Sequence, residues 1–232
     1  MAIRDNLTGT QQGAFFYSES ALIADHAGVP FGYNTLMTCL DEDFFLREVT
    51  DVARDLLGKR LVRCVDGQRV SGIITETEAY RGEEDLACHA RSGRTNRNAV
   101  MYGMAGRAYI YFTYGMHWCL NAVCGPGGFP AAVLLRAIHP EEGLEFIAAR
   151  REGVKPADWC RGPARLCKAL AIDGRLNGVM LCEQDSPVFI EEGFNLDDVS
   201  VTTSPRIGIH YAPEPWRSKP WRYTADLTWG HA

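Results

Sequence analysis

The clearest periodic pattern of hydrophobic residues lies between Asp43 and Leu57. Apolar side chains recur there at the three- and four-residue spacing of one helix face: Phe45, Leu46, Val49, Val52, Ala53, Leu56 and Leu57. Gly58 follows, and glycine often ends a helix because it adopts the left-handed conformation without strain. The pattern predicts one helix over 43–57.

Several later stretches have the apolar and β-branched character of strands. Residues 61–65 and 69–80 flank Asp66-Gly67, a dipeptide typical of a tight turn. The aromatic stretch 108–123 contains Gly115 in its middle and predicts a hairpin that bends there. Further strands are predicted at 131–138, 187–193, 205–212 and 221–224, and short helices at 141–151 and 162–172.

The order of these elements indicates a mixed α/β (α+β) fold. Strands and helices do not alternate as in a parallel βαβ protein, so a mostly antiparallel sheet is expected. The charged, glycine-rich segment 81–106 is predicted to be a long functional loop that contains a short helix. Residues 1–35 show no clear period and are interpreted as an N-terminal arm of unknown role, which leaves a single domain at 36–232.

Composition restricts the class of protein. The chain has 232 residues, of which 46% are hydrophobic and 23% are charged. No apolar run reaches the roughly 20 residues of a membrane span, and the N-terminus lacks a secretory signal, so a soluble cytoplasmic protein is expected. The 8 cysteines form no C-x-x-C pair, which predicts reduced and mostly buried thiols without a metal site. A phosphate-binding loop and a dinucleotide fingerprint are also absent from the sequence.

The net charge of -5 argues mildly against a nucleic-acid partner. Acidic residues are concentrated in the first quarter of the chain, however, and two later segments are basic. The first contains Arg91, Arg94, Arg97 and Arg107, and the second contains Arg206, Arg217, Lys219 and Arg222. These segments are candidates for two basic patches on one face.

Alternation along the strand that ends at Tyr80 places Glu76, Glu78 and Tyr80 on one face. Glutamates on strands are most often solvated. A carboxylate at the end of a strand, beside a loop, could instead enter a pocket and deprotonate water. Spacing alone leaves both interpretations open for both glutamates.

Other polar and aromatic residues are also ambiguous from pattern alone. His89 is a loop histidine among arginines, and such residues are more often structural or exposed than functional. Tyr109 and Tyr111 share a strand face, where they either pack the sheet or line a cavity. Asn121 and Arg136 end strands, and each is either a buried hydrogen-bonding residue or a pocket residue.

Tyr114 differs from these residues because it precedes Gly115 at the predicted bend. A ring at the tip of a hairpin is badly placed for core packing. It is well placed to wedge between base pairs, as apolar side chains do in proteins that open the minor groove.

Five separated motifs, ETEAY, CHARSGRTNRN, YIYFTYGMHWCLN, VLLRA and CRGPARLCKAL, resemble those of the alkyladenine DNA glycosylase family, also called the 3-methyladenine DNA glycosylases. The resemblance extends from about Phe44 to Tyr223. It implies a single mixed α/β domain around a curved, mostly antiparallel sheet with a protruding, DNA-inserting β-hairpin. It also implies damaged double-stranded DNA as the partner, no cofactor, no obligate protein partner, and association with the nucleoid when the protein is bound to DNA.

The activity implied by the resemblance is that of a monofunctional DNA glycosylase without AP lyase activity. Such an enzyme flips an alkylated or deaminated purine out of duplex DNA and hydrolyses its N-glycosidic bond with an activated water, which starts base excision repair. The implied substrates are 3-methyladenine, 7-methylguanine, hypoxanthine and ethenoadenine.

The resemblance assigns roles to individual residues. Glu78 matches the general base, and Arg136 matches the arginine that helps to hold the attacking water. The base pocket is expected to contain Tyr80, His89, Tyr111 and Asn121. The main-chain amide at His89 corresponds to the donor that reads the 6-position of the purine, and Asn121 to the side chain that crowds the guanine amino group. The expected DNA contacts are Tyr114, which fills the gap left by the flipped nucleotide, with Met116, Arg94, Arg97 and Lys219.

Two other functions remain open on the sequence. The first is a non-catalytic module that recognises nucleic acid with the same scaffold. The second is a nucleoside hydrolase, against which the tyrosine at the hairpin tip argues, because a free nucleoside has no base stack to open.

Overall fold

A long central strand organises the fold of the computed structural model, which describes residues 38–196 and 200–226. The strands are β1 (Arg60–Val65), β2 (Gln68–Arg81), β3 (Ala108–Thr113), β4 (His117–Val123), β5 (Ala131–Glu142), β6 (Val188–Glu191), β7 (Val201–Ser204) and β8 (Arg222–Ala225). They form an 8-stranded sheet in the order β3-β4-β5-β2-β1-β6, and β8 pairs with both β2 and β7. Each pairing found in the described residues is antiparallel, which confirms the predicted mixed fold. The proposed arm at 1–35 lies outside the described residues.

The α-helices are short. They are α1 (Glu42–Phe45), α2 (Val49–Asp55), α3 (Leu144–Arg150) and α4 (Pro163–Ala169). Single turns of 3-10 helix cover Ala99–Tyr102, Pro156–Asp158 and Gly174–Leu176. None of the helices in the described ranges has the length and apolar character that a membrane crossing needs.

The single helix predicted at 43–57 is wrong in one respect, because α1 and α2 are separate helices. Asp41 caps α1 by accepting a hydrogen bond from the amide of Phe44, and Glu48 has extended backbone angles before α2 begins. Phe45 and Val52 are nevertheless fully buried. The apolar spacing therefore predicted the buried face correctly. It does not show whether the backbone stays helical from one turn to the next.

The pairing of β2 with β5 has three register shifts, two of which lie next to Glu76. Glu76 pairs with Ala137 and Thr77 pairs with Leu135, so Arg136 is an extra residue on its strand. A second shift lies between Ile74 and Glu76. Such bulges bend a strand and redirect its side chains. In this sheet, side chains that precede a bulge therefore point to a different face from those that follow it.

The two faces have different neighbours. On one face, Thr77 donates a hydrogen bond from Oγ1 to the carbonyl oxygen of Ala53 in α2, and the main hydrophobic core covers the sheet there. On the other face a smaller apolar cluster surrounds Tyr109, with Tyr80 and Tyr111 packed against it. This second face carries the candidate site.

The predicted hairpin at 108–123 is confirmed as β3 and β4. Thr113 pairs with His117, and the amide of Met116 donates to the carbonyl oxygen of Thr113 at 3.2 Å. Tyr114 and Gly115 both have positive φ angles, of 52° and 66°. The tip therefore exposes 83% of Tyr114 and 68% of Met116 to solvent.

Other predicted boundaries need correction. Residues 205–212 were predicted to form a strand, but they form an irregular loop, and β7 lies just before them. The first two residues of the helix predicted at 141–151 belong to β5. The loop at 205–212 is irregular because its polar groups bond to side chains of β2 and of the loop after it, as described below, rather than to a neighbouring strand.

Candidate active site

Glu78 lies at the centre of the site. Its side chain is 0% exposed, so the interpretation of Glu78 as a solvated strand residue is wrong. Oε1 accepts a 2.7 Å hydrogen bond from the amide of Ile207 and lies 3.2 Å from Nη1 of Arg136. Oε2 accepts a 2.8 Å hydrogen bond from the hydroxyl group of Tyr80. Three donors from three segments thus hold one buried carboxylate.

The environment of Glu78 changes its acidity. Burial raises the pKa of Glu78 above its ordinary value, while Arg136, the Ile207 amide and the Tyr80 hydroxyl oppose that rise. Burial also raises the pKa of Tyr80 well above its ordinary value, so its hydroxyl stays a hydrogen-bond donor. A carboxyl group with a raised pKa in a cleft has the properties of a general base or acid.

Glu76 holds Arg136 against Glu78. Oε1 of Glu76 accepts hydrogen bonds from Nε of Arg136 at 2.7 Å and from Nη1 of Arg222 at 3.0 Å. Only 18% of the Glu76 side chain is exposed. Arg136 therefore bridges both glutamates, with Nε on Glu76 and Nη1 near Glu78, so Glu76 orients the arginine. Arg136 lines the cavity, and Glu78 lies enclosed behind it.

A cavity of about 410 Å³ opens beside these residues. The predicted base-pocket residues all line it: Tyr80, His89, Tyr111 and Asn121. Arg136 and Tyr114 line it as well, and the loop at 205–212 contributes Ile207 through Ile209 and Tyr211. The structure therefore brings together residues that are separated by more than a hundred positions in the chain.

Aromatic rings and a histidine form the walls of this cavity. The rings of His89 and Tyr111 are 4.4 Å apart between centroids and nearly perpendicular. Nδ1 of His89 lies 3.0 Å from the hydroxyl group of Tyr109, which is almost fully buried. Desolvation, together with the positive charges of Arg97 and Arg91, lowers the pKa of His89 to about 4. The imidazole is therefore neutral at physiological pH.

Two asparagines hold the backbone around the cavity. Nδ2 of Asn121 donates to the carbonyl oxygen of Tyr109 at 2.9 Å, which fixes the buried amide against the cavity wall. Nδ2 of Asn98 donates to the carbonyl oxygens of His89 and Gly93, each at 3.0 Å. Sequence analysis did not select Asn98. Asn98 holds the loop through these two hydrogen bonds, which form only because the chain folds back on itself there.

Three of the predicted DNA contacts are the basic side chains of Arg94, Arg97 and Lys219. Arg94 and Arg97 are exposed, and Arg97 donates a hydrogen bond of 3.0 Å to the carbonyl oxygen of Phe112 in β3. The ammonium group of Lys219 lies 4.1 Å from the ring centroids of both Trp216 and Trp221. Such cation–π contacts restrict a cation while leaving part of it open to a phosphate.

The second basic patch suggested by the sequence is smaller than expected. Arg206 is buried and bonds to Asp85, and Arg222 bonds to Glu76 and Ser204. Both guanidinium groups therefore bond to acidic side chains within the site and do not add to an exposed basic patch. Composition could not separate them from exposed arginines, because their acidic partners lie more than a hundred residues earlier in the chain.

Sequence analysis also missed Ile207 and Asp85. Ile207 acts through its backbone amide, for which the residue type carries no signal. Asp85 stands in a charged loop among other acids, and only the fold shows that its side chain is fully buried.

The cysteines are all free, and five of them are buried: Cys88, Cys119, Cys124, Cys160 and Cys167. This confirms the prediction of mostly buried thiols. Across residues 38–196 and 200–226, no three His, Cys, Asp or Glu side chains are grouped as metal ligands would be.

Comparison with known proteins agrees with the geometry. A family model described as methylpurine-DNA glycosylase (MPG) matches residues 43–227. A relative from Methanocella arvoryzae named "Putative 3-methyladenine DNA glycosylase" is 45% identical over 188 residues, which cover 81% of this chain and 92% of the relative. A relative with the same name from Granulibacter bethesdensis is 46% identical, and the match covers 78% of this chain and 83% of the relative. Another from Desulfitobacterium hafniense is 43% identical, and the match covers 81% of this chain and 95% of the relative.

The matched span includes all the residues that line the cavity. It also agrees with the extent of the resemblance found in the sequence, from about Phe44 to Tyr223. The predicted family and the predicted enzyme class, a DNA glycosylase, are confirmed together. The chain belongs to the methylpurine-DNA glycosylase family.

Proposed function

We propose that this protein flips an alkylated or deaminated purine out of duplex DNA and hydrolyses its N-glycosidic bond with a water that Glu78 activates. The substrates in this proposal are 3-methyladenine, 7-methylguanine, hypoxanthine and ethenoadenine. The observation that carries it is a fully buried carboxylate, bonded to Arg136 and Tyr80, beside a cavity with aromatic walls.

Breaking the bond between the base and C1' of the sugar develops positive charge on the sugar. An ionised Glu78 stabilises that charge and accepts the proton of the attacking water. Oε1 already has two partners, whereas Oε2 has only the Tyr80 hydroxyl among the described residues. A carboxylate oxygen has two lone-pair directions, so we place the water on Oε2. The charge of Arg136 favours the ionised form of Glu78, and in this proposal Arg136 also helps to hold the attacking water.

The aromatic walls stabilise the flipped base. Extrusion of a base costs a few kcal/mol, and stacking on an aromatic side chain is worth roughly 1 to 3 kcal/mol per base. Tyr80, His89 and Tyr111 provide these surfaces, and the buried Asn121 side chain limits the groups that fit beside it. Because His89 is neutral at physiological pH, it does not repel a cationic base such as 3-methyladenine.

The proposed enzyme is monofunctional. Cleavage of the DNA strand by a glycosylase needs an amine that attacks C1', and no lysine of the described residues lines the cavity. Water is therefore the nucleophile, and an abasic site is the product. Damaged double-stranded DNA is the proposed partner, and action on the chromosome within the cytoplasm stays a prediction.

Base release from defined oligonucleotides tests the proposal. Wild-type protein should release hypoxanthine and ethenoadenine from duplexes. Glu78→Gln should abolish release while it retains binding to the same duplexes. Glu152→Gln, which changes an exposed glutamate, is the matched control and should behave as wild type.

Three results would contradict this function. Equal rates for Glu78→Gln and wild type would refute the role of Glu78. Binding without any product over hours, on a panel that includes 3-methyladenine and 7-methylguanine, would indicate a non-catalytic module. Turnover of free inosine without activity on duplex DNA would indicate a nucleoside hydrolase.

A further inference from the structure

A fully enclosed ion pair joins the loop at 205–212 to the loop that follows β2. The side chains of Arg206 and Asp85 are both 0% exposed. Nη1 of Arg206 lies 2.5 Å from Oδ2 of Asp85, and Nη2 lies 2.9 Å from Oδ1. The two hydrogen bonds form a bidentate fork, which fixes the relative orientation of both groups as well as their separation.

Asp85 is also bonded to the backbone of its own segment. Its carboxylate accepts hydrogen bonds from the amide of Arg81 at 3.3 Å and from the amide of Ala87 at 3.0 Å. Its carbonyl oxygen accepts the amide of Cys88 at 2.8 Å. The aspartate therefore connects the end of β2 with the turn that leads to His89.

Arg206 extends these connections to the far side of the site. Its Nη1 donates to the carbonyl oxygen of Ala79 at 2.9 Å, and its Nη2 donates to that of Trp216 at 3.2 Å. Its guanidinium carbon lies 4.6 Å from the ring centroid of Tyr80 and 5.1 Å from that of Trp221.

The position of Arg206 explains how both oxygens of Glu78 acquire their partners. The next residue in the chain is Ile207, whose amide donates to Oε1. The ring on which the guanidinium stacks is Tyr80, whose hydroxyl donates to Oε2. One buried guanidinium thus holds the two donors, one through the backbone and the other through ring contact.

We infer that Arg206 is a positioning residue for the hydrolysis of the glycosidic bond. With Asp85 as its anchor, it holds the Ile207 amide and the Tyr80 hydroxyl on the two oxygens of Glu78. This inference rests on the proposed function of Glu78. It assigns to the ion pair a role in the geometry of the general base, in a position that has no access to DNA because both side chains are enclosed.

Stability alone does not account for such a pair. A buried ion pair can often be replaced by apolar residues of similar volume without loss of stability, because desolvation opposes the attraction between the charges. The fork of an arginine, by contrast, imposes directions that neither an apolar residue nor a lysine reproduces. Replacement should therefore affect the alignment of Glu78 more than the folded state.

Three variants separate these effects. Arg206→Met removes the guanidinium group, and Arg206→Lys keeps the charge but not the fork. The double variant Asp85→Asn/Arg206→Met removes both charges, so it leaves no uncompensated buried charge if a single variant fails to fold. The matched control is Arg47→Met/Asp55→Asn, which removes an ion pair of 2.7 Å that is partly exposed.

The measurements are single-turnover release of ethenoadenine, affinity for a duplex with a tetrahydrofuran abasic analogue, and NMR amide hydrogen exchange at Ile207. We expect the folded double variant to release base about 100-fold more slowly than wild type, because a misplacement of roughly 1 Å can have that effect. Arg206→Lys should also be slower, by about tenfold or more. Affinity for the abasic duplex should stay within about threefold, and exchange at Ile207 should accelerate, whereas the control should match wild type in all three.

A release rate within about threefold of wild type in the folded double variant would overturn the inference. An affinity loss as large as the rate loss would also overturn it, because the residue would then act in DNA binding. If the wild type released no base, the proposed function would fail, yet exchange at Ile207 would still decide whether Arg206 holds that amide. Unchanged exchange in Arg206→Met and in the double variant would refute the positioning role independently of activity.

Discussion

The hydroxyl group of Tyr80 donates a 2.8 Å hydrogen bond to Oε2 of Glu78, two residues earlier on the same strand. Residues two apart on a strand face the same side, so this contact follows directly from the local geometry of β2. Tyr80 therefore has two functions in one side chain. Its ring lines the cavity, and its hydroxyl group stabilises the carboxylate that we propose as the general base.

Tyr80→Phe separates these two functions, because it keeps the ring and removes the donor. The Tyr80 hydroxyl lowers the pKa of Glu78, so its loss should raise that pKa further. In the proposed mechanism the ionised form of Glu78 is active, so the acidic limb of the pH–rate profile should move to higher pH. A hydrogen bond to a charged group is worth about 1.5 to 3 kcal/mol, so single-turnover release at neutral pH should fall about tenfold or more. A profile with an unchanged acidic limb would contradict this role.

The local part of the site could be predicted from the sequence, and the long-range part could not. Alternation placed Glu78 and Tyr80 on one face, and Gly115 marked the bend of the hairpin. By contrast, the contact between Ile207 and Glu78 joins residues 129 positions apart. It uses a backbone amide, which every residue except proline has, so no residue type marks it.

The break between α1 and α2 and the irregular loop at 205–212 are both cases in which the local sequence pattern did not predict the backbone conformation. An apolar period shows which side of a segment is buried, and it is satisfied equally by one helix or by two. The stretch at 205–212 has the composition of a strand, but its polar groups find stronger partners in Asp85 and Glu78 than a strand edge would supply. Tertiary contacts therefore override local propensity at the functional site.

Glu78→Gln should gain stability relative to wild type as pH rises. Burial raises the pKa of Glu78 above its ordinary value of 4.5, so the folded state binds this proton more tightly than the unfolded state does. Wild-type stability should consequently fall as pH rises from about 4.5 through the raised folded-state value. Glutamine does not ionise, so the Tm of the variant minus that of wild type should grow across this window and then stay constant. Thermal unfolding at a series of pH values measures it, with Glu152→Gln as the control, and a constant difference would contradict the prediction.

His89 should titrate far below an ordinary histidine. Desolvation and the charges of Arg97 and Arg91 lower its pKa from 6.5 to about 4, and NMR of the imidazole ring should give that midpoint. Because the folded state resists protonation, the stability associated with His89 is present above 6.5 and is lost as pH falls towards 4. Arg97→Gln should raise the midpoint by removing one positive charge, whereas Arg47→Gln should leave it unchanged. A midpoint near 6.5 would show that the ring is solvated.

Tyr114→Gly should abolish the wedge without harming the hairpin. The φ angle of Tyr114 is 52°, a conformation that costs most residues strain and costs glycine none. The hairpin should therefore be at least as stable in the variant, while the flipped state loses a stacking contact worth roughly 1 to 3 kcal/mol, or about 5- to 150-fold in the flipping equilibrium. Fluorescence of ethenoadenine in duplex DNA measures this equilibrium. Tyr114→Phe keeps the ring and should retain flipping; an unchanged equilibrium in Tyr114→Gly would refute the wedge.

Arg94 and Lys219 should contribute to affinity through phosphate contacts. Arg94 is exposed, and the ammonium group of Lys219 is held 4.1 Å from each of two indole rings. Each phosphate contact contributes about 0.9 to the slope of log affinity against log salt concentration. Arg94→Ala and Lys219→Met should each lower the magnitude of that slope by roughly this amount. Arg47→Ala is the control, since Arg47 lies two residues before α2, which packs on the opposite face of β2. A variant that weakens binding equally at all salt concentrations would show that its residue does not contact phosphate.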